Sequence, residues 1–258
     1  MSSVLFHIEN NIAFITLNRP DKLNSFNREM AMLFQNYLDE AATLKEIRCV
    51  YITGSGKGFS SGQDLLEVID PNGPGMDKIL SEHFNPIIKK IRNIPKPVIA
   101  AVNGVAAGAG VNIALACDIV LATNGAVFIQ AFSKIGLIPD SGGTYTLPRL
   151  IGIQRASALM MLGDKINAQE AFQMGMIYKV FDSENFVGES ISIANTLANM
   201  PTKSLAYIKH ALNQSFLNSM EQQLELEDNY QQKAAATYDF KEGVQAFLEK
   251  RSPQFKGE

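Results

Sequence analysis

The stretch Val98-Ile99-Ala100-Ala101-Val102-Asn103-Gly104-Val105-Ala106-Ala107-Gly108-Ala109-Gly110-Val111-Asn112-Ile113-Ala114-Leu115-Ala116-Cys117 carries no charged side chain. It has the length of a membrane-spanning helix, about 20 residues. Gly104 and Gly108 also stand at the spacing of a helix-pairing motif. Its contents argue against a span. Asn103 and Asn112 interrupt it, Gly104, Gly108 and Gly110 break it, and no Trp or Tyr marks either edge. A buried strand over 98–102, a small-residue turn over 104–110 and a buried helix over 111–117 account for the same residues.

Outward from this unit, strand and helix patterns alternate. Leu5 to Glu9 and Ile12 to Leu17 flank Asn10-Asn11, which predicts an opening β-hairpin. Met30, Leu33, Tyr37, Ala41 and Leu44 recur at helical steps and predict a helix over 25–44. Cys49 to Thr53 reads as a short buried strand. A second helix is expected over 76–94, stopped by Pro95 and Pro97. Residues 119–122, 127–130 and 176–180 are further strand candidates. From about Glu184 onward the pattern is helical. Alternating strands and helices predict an α/β core followed by a helical tail.

Composition narrows the function. The chain has 258 residues, 46% of them hydrophobic and 19% charged, with 23 Lys and Arg against 26 Asp and Glu. Such a chain folds around a core, and a net charge of −3 excludes a general nucleic-acid binder. An anionic ligand must then be held by local cations and main-chain dipoles. Cys49 and Cys117 lie far apart in apolar runs and are expected to be buried thiols. His7, His83 and His210 lack metal-ligand spacing. Residues 1–7 show no basic stretch followed by an apolar run, so a cytoplasmic protein is expected.

Three loops carry the chemistry. Phe59-Ser60-Ser61-Gly62-Gln63-Asp64 and the 104–110 turn each follow a strand and precede a helix start. Close packing of strand on helix is the commoner reason for such turns. Together, though, they can aim two main-chain N–H groups at one oxygen. In Ile138-Pro139-Asp140-Ser141-Gly142-Gly143-Thr144, Asp140 reads either as a helix cap or as a general base beside an apolar cavity. Phe128, Phe132, Ile135 and Leu137 are candidates for that apolar surround. Gly54-Ser55-Gly56-Lys57-Gly58 fails the spacing of a phosphate loop. Lys22, Lys57, Lys96, Lys250 and Arg251 are the cations available for phosphate, and the carboxylates of 221–227 look like a solvated helical face.

Taken together, these segments resemble the crotonase (enoyl-CoA hydratase/isomerase) superfamily. The resemblance runs through Ile15 to Pro20 with Leu23-Asn24, Phe59 to Asp64, Lys96 to Gly104 with Gly108-Ala109-Gly110, Gly136 to Pro139, Ala168 to Ala171 and Glu242 to Arg251. It implies an α/β, crotonase-like ββα spiral core over 1–199 and a C-terminal helical trimerisation region over 200–258, in homotrimers or hexamers. It implies an acyl-CoA substrate and no permanently bound cofactor. By position, the main-chain amides of Gln63 and Ala109 would form the oxyanion hole and the Ser61 carbonyl would meet adenine. Lys22, Leu23 and a neighbouring subunit's Lys250 would lie near the CoA phosphates.

Two departures matter as much. Hydratases of the family carry two glutamates where this chain has Asn112 and Phe132, so simple hydration of an enoyl-CoA is not expected. The remaining carboxylate is Asp140. Ala131 to Asp140, Asp239 to Gly243 and Lys250 to Phe255 resemble the family branch that isomerises ring-epoxidised phenylacetyl-CoA. The rival readings are a straight-chain 3-enoyl to 2-enoyl-CoA isomerase, a reaction with Asp140 as nucleophile, and a non-catalytic CoA-binding subunit. RNA binding, known for one branch, finds no support in the acidic composition.

Overall fold

A computed structural model describes residues 2–258. The hairpin forms as expected from β1 (Val4–Glu9) and β2 (Ile12–Leu17), joined by Asn10 and Asn11 at φ 50° and 63°. Both turn residues are left-handed, the conformation that matches strand twist in a two-residue hairpin.

After the hairpin one motif recurs. A long strand, β3 (Cys49–Gly54), is followed by a three-residue strand, β4 (Gly58–Ser60). Then β5 (Val98–Val102) is followed by β6 (Val105–Ala107), and β7 (Ile119–Thr123) by β8 (Val127–Ile129). The long strands enter a six-stranded sheet of order β1-β2-β3-β5-β7-β10, closed by β10 (Lys179–Phe181). The short ones enter a four-stranded sheet of order β4-β6-β8-β9, with β9 (Lys165–Asn167) antiparallel to β8. Each repeat thus crosses from one sheet to the other before its helix begins. β8 falls inside the expected 127–130 run and β10 overlaps the expected 176–180 run at its end, whereas β4, β6 and β9 went unforeseen, because their pairing alone defines them.

The helices are α1 (Arg28–Thr43), α2 (Leu65–Ile69), α3 (Gly75–Lys78), α4 (Asn85–Asn93), α5 (Ala109–Ala116) and α6 (Gly143–Ile151). They continue with α7 (Ile153–Leu162), α8 (Ala168–Gln173), α9 (Phe186–Ala198), α10 (Thr202–Gln214), α11 (Met220–Ala235) and α12 (Tyr238–Glu249). The uncharged 98–117 stretch is β5, β6 and α5, buried almost throughout. No helix among the described residues is long and apolar enough to cross a membrane.

Two expectations shift. The core face of α1 is Met30, Phe34, Leu38 and Ala41, with Leu33 and Tyr37 only half-buried at its edge. The helix over 76–94 is α3 and α4 joined by a π turn at Ile79–Phe84. Pro86 cannot donate to the Glu82 carbonyl, and the Gln35 side chain donates there instead at 2.8 Å. Cys49 and Cys117 are both buried, as expected. Lys209 pins α10 to the core through Asp118 at 2.8 Å and the Ile91 carbonyl at 2.7 Å.

Candidate active site

The loop 59–64 and the turn 104–110 meet where β4 and β6 pair. Gly108, at φ 54° and ψ −129°, turns the chain into α5 in a conformation open to glycine but not to L residues. Ala109 is therefore the first residue of α5, and its N–H is among those a helix leaves unpaired. In the other loop, Phe26 donates to the Gly62 carbonyl at 2.7 Å and accepts from the Asp64 N–H at 2.8 Å. That pairing turns the intervening Gln63 N–H to the opposite side. Neither the Gln63 nor the Ala109 N–H has an acceptor among the described residues.

Both residues line a cavity of about 360 Å³, shared with Ser61, Phe132 and Asp140. Gln63 and Ala109, whose N–H groups have no acceptor among the described residues, thus share one mostly apolar space with Asp140 from a third segment. The Gln63 side chain is turned aside, donating to Glu67 Oε2 at 2.8 Å. Ile135 and Leu137 complete the apolar wall, as expected. Phe128 does not: from the middle of β8 it packs into the main hydrophobic core and is absent from the cavity lining.

Asp140 is not a helix cap. α6 begins after Gly142 and no side chain caps it. The Asp140 carboxylate instead accepts from the Ser141 hydroxyl at 2.8 Å, and among the described residues no cation pairs with it. Burial holds its carboxyl above the ordinary carboxylate value, while the Ser141 hydrogen bond acts in the opposite direction. Ser141 sits at φ 51°, a left-handed conformation that costs a non-glycine residue about 1–3 kcal/mol. The other carboxylate on the cavity, Asp64, is occupied. It caps α2 through the Leu66 N–H at 3.1 Å and pairs with Arg19 at 2.9 Å.

The two positions that depart from the hydratase pattern are both nearby. Phe132 lines the cavity, and its ring tip lies 3.8 Å from where a Cβ on Gly108 would be. Asn112 is buried and donates to the Asp140 main-chain carbonyl at 2.8 Å. Neither can exchange a proton with a water molecule.

The expected CoA contacts divide. Ser61 donates its N–H to the Leu23 carbonyl at 2.9 Å and its hydroxyl to the Lys22 carbonyl at 3.3 Å, which sets Lys22, Leu23 and Ser61 on one rim. Of the three only Ser61 lines the cavity; Lys22 and Leu23 are absent from its lining, as are Lys57 and Lys250, which ends α12. Two further cations are not available for phosphate. Lys96 is buried, donates to the Ala41 and Leu44 carbonyls at 2.6 Å, and is pushed down to about 8 by burial. Arg251 is held by Glu242 and Glu249, each at 2.6 Å. Sequence reasoning missed Ser141 and Gln130 entirely, since their partners are known only once the turns are folded.

The model of the enoyl-CoA hydratase/isomerase family matches residues 7–258. The chain is 46% identical to 1,2-epoxyphenylacetyl-CoA isomerase of Escherichia coli strain K12, covering 100% of this chain and 99% of that one. It is 36% identical to trans-2-decenoyl-acyl-carrier-protein isomerase of Streptococcus mutans, over 98% of both chains. Among solved structures, an enoyl-CoA hydratase from Bacillus anthracis superposes with a TM-score of 0.93 at 32% identity, covering 99% of this chain and 100% of that one. The family match over residues 7–258 and the full-length similarity in sequence and fold agree, and the chain belongs to the enoyl-CoA hydratase/isomerase (crotonase) family.

Proposed function

We propose that this enzyme isomerises an acyl-CoA ester by moving a single proton, with Asp140 as the shuttle and the Gln63 and Ala109 N–H groups holding the enolate oxygen. The observation that carries the reading is the Asp140 carboxylate. It lines the cavity with no ion-pair partner among the described residues, while Asn112 and Phe132 stand where a hydratase needs two carboxylates. Adding water requires one group to hold it and another to protonate carbon. Moving a proton from one carbon to another requires one base that takes it and returns it. A positioned base supplies about 10²–10⁴-fold, and each oxyanion donor is worth on the order of 10²–10³. The chemistry therefore needs both.

The substrate this reading favours is ring 1,2-epoxyphenylacetyl-CoA. Its epoxide opens to an oxepin by reorganisation of ring bonds. The remaining task is to take a proton from the carbon next to the thioester and return it to a ring carbon, leaving a double bond conjugated with the thioester. Support comes from the E. coli relative and from the apolar wall of Phe132, Ile135 and Leu137, which suits an aryl group. The S. mutans relative favours a second reading, a 3-enoyl to 2-enoyl shift on an alkyl chain by the same proton transfer. Copies of the chain are proposed to assemble as a trimer or hexamer through the helical tail, where Ile208, Leu212 and Leu224 are exposed.

The test is exchange of the proton next to the thioester in deuterated water, followed by NMR on phenylacetyl-CoA and trans-3-hexenoyl-CoA. Asp140→Asn should abolish exchange and leave ester binding largely intact. Retained exchange refutes the base assignment, and binding without exchange in the parent enzyme would make the chain a CoA-binding subunit. Isotope entering the Asp140 carboxylate from labelled water in a single turnover would establish a nucleophile instead. The ratio of exchange on the aryl ester to exchange on the alkyl ester decides between the two substrates.

A further inference from the structure

We infer that Asn112 and Gln130 are positioning residues that register the Asp140 carboxylate against the Ala109 main-chain donor. The inference rests on the reading of Asp140 as proton shuttle.

Three residues from three elements form one chain of hydrogen bonds. The Gln130 Nε2 donates to Asn112 Oδ1 at 2.8 Å, and Asn112 Nδ2 donates to the Asp140 carbonyl at 2.8 Å. Asn112 is 1% and Gln130 3% exposed, so water does not compete for either amide. The direction of the chain is fixed by chemistry. A main-chain carbonyl only accepts, so Asn112 must turn its nitrogen to Asp140. Its oxygen then faces Gln130, which must answer with a nitrogen. Gln130 Oε1 is left buried with no partner among the described residues. An apolar side chain would fill that space without the penalty of an unpaired polar atom. The amide is thus explained by its donor end, which sets Asn112.

The placement of Asn112 gives the chain its purpose. Asn112 and Ala109 lie one turn apart on α5. The helix that presents the oxyanion donor at its first residue therefore also grips the Asp140 main chain. The neighbouring Gly143 makes room for the grip, because a Cβ there would lie 2.4 Å from Asn112 Nδ2. Its own N–H donates to the same Asp140 carbonyl at 2.8 Å. Beyond Asp140 the chain passes through the left-handed Ser141, a conformation that persists only where the surroundings over-determine it. Asn112 does not line the cavity, so it acts through Asp140 and not on the ester. The charged side chains that share the cavity are Asp64, held by Arg19, and Lys134, while Asp164 stands across a small void from Gln130.

The experiment uses the full-length enzyme and phenylacetyl-CoA exchange, measured as kcat, KM and pH profile, in Asn112→Leu, Gln130→Leu and Gly143→Ala. The last displaces the Asn112 amide without removing it. Each variant should lower kcat about 10- to 100-fold, the scale of a misplacement near 1 Å. KM should stay within about twofold, because no ester contact is touched. The acidic limb of the profile should move to lower pH as the carboxylate leans into water. A purely structural role would lower melting temperature and leave that limb in place. An unchanged kcat, an unmoved limb in folded variants, or failure of all three to fold overturns the inference. If Asp140→Asn retains exchange, the shuttle reading itself has failed. If Asp140→Asn loses exchange while these variants keep it, only the positioning role has failed.

Discussion

Gly62 lies flat against the main chain of Ala109: a Cβ on Gly62 would stand 3.0 Å from the Ala109 nitrogen and 3.0 Å from the Ala107 carbonyl oxygen. Gly62 is also at φ 88°, which L residues rarely adopt. The residue before one proposed oxyanion donor thus sets how closely the other can approach. Gly62→Ala should push the Ala109 N–H out of line and lower exchange on the order of 10²–10³-fold, the loss expected for one donor. The left-handed strain should also destabilise the fold by about 1–3 kcal/mol. Exchange rates and thermal melting on one preparation check both. Near-normal turnover in a folded Gly62→Ala protein would remove Ala109 from the oxyanion hole.

Gln63 provides the counterpart. Its side chain is tied to Glu67, and only its main chain is oriented toward the donor role. Gln63→Ala should leave kcat within about threefold, far from the loss of a whole oxyanion donor. A collapse of turnover in the folded variant would show that the side chain takes part.

Asp140 should also be visible in stability. Burial raises its folded carboxyl above the ordinary value. Between the ordinary value and the raised one, the folded chain binds more protons than the unfolded chain, so stability falls as pH rises through that window. Its contribution is fully present below the ordinary carboxylate value and is lost above the folded one. Asp140→Asn cannot ionise and keeps an oxygen for the Ser141 hydroxyl. It should therefore be more stable than the parent at neutral pH, with the difference shrinking toward acid. Denaturant titrations from about pH 3 to pH 8 test the sign, and a parent that gains stability relative to Asp140→Asn as pH rises would contradict the buried-base picture.

The parts of this site that a sequence reveals are those written into one loop. The glycine-rich turn before Ala109, the Pro139-Asp140 step and the absence of carboxylates at 112 and 132 each sit within a few residues. The long strands were legible for the same reason, since apolar runs between turn residues announce themselves. The short strands were not, because β4 and β6 are defined by each other and not by their own composition. Lys96 looked like a free cation until the carbonyls of Ala41 and Leu44, more than fifty positions away, were seen to enclose it. Ser141 and Gln130 were silent because their meaning lies in a turn geometry and a buried amide that only packing creates.

Lys96 and the rim cations should separate cleanly by experiment. Lys96→Met removes the buried bond to the Ala41 carbonyl, while the Leu44 carbonyl keeps the Ile47 N–H at 3.2 Å, and should destabilise by about 1–3 kcal/mol. The affinity for phenylacetyl-CoA should not change, since the ammonium never reaches solvent phosphate. Lys22→Ala should do the opposite, because its rim position next to Ser61 involves no buried bond. An exposed ion pair is worth about 0–1 kcal/mol, so KM should rise by no more than about fivefold at low salt, with kcat preserved. The effect should shrink as ionic strength rises and screening shortens the reach of the charge. Lys250→Ala should raise KM in the same way only if a neighbouring copy brings α12 to this rim, since within one chain Lys250 is absent from the cavity lining. A Lys250→Ala enzyme that assembles normally and binds ester with parental affinity at low salt would exclude the neighbour's lysine from the CoA site.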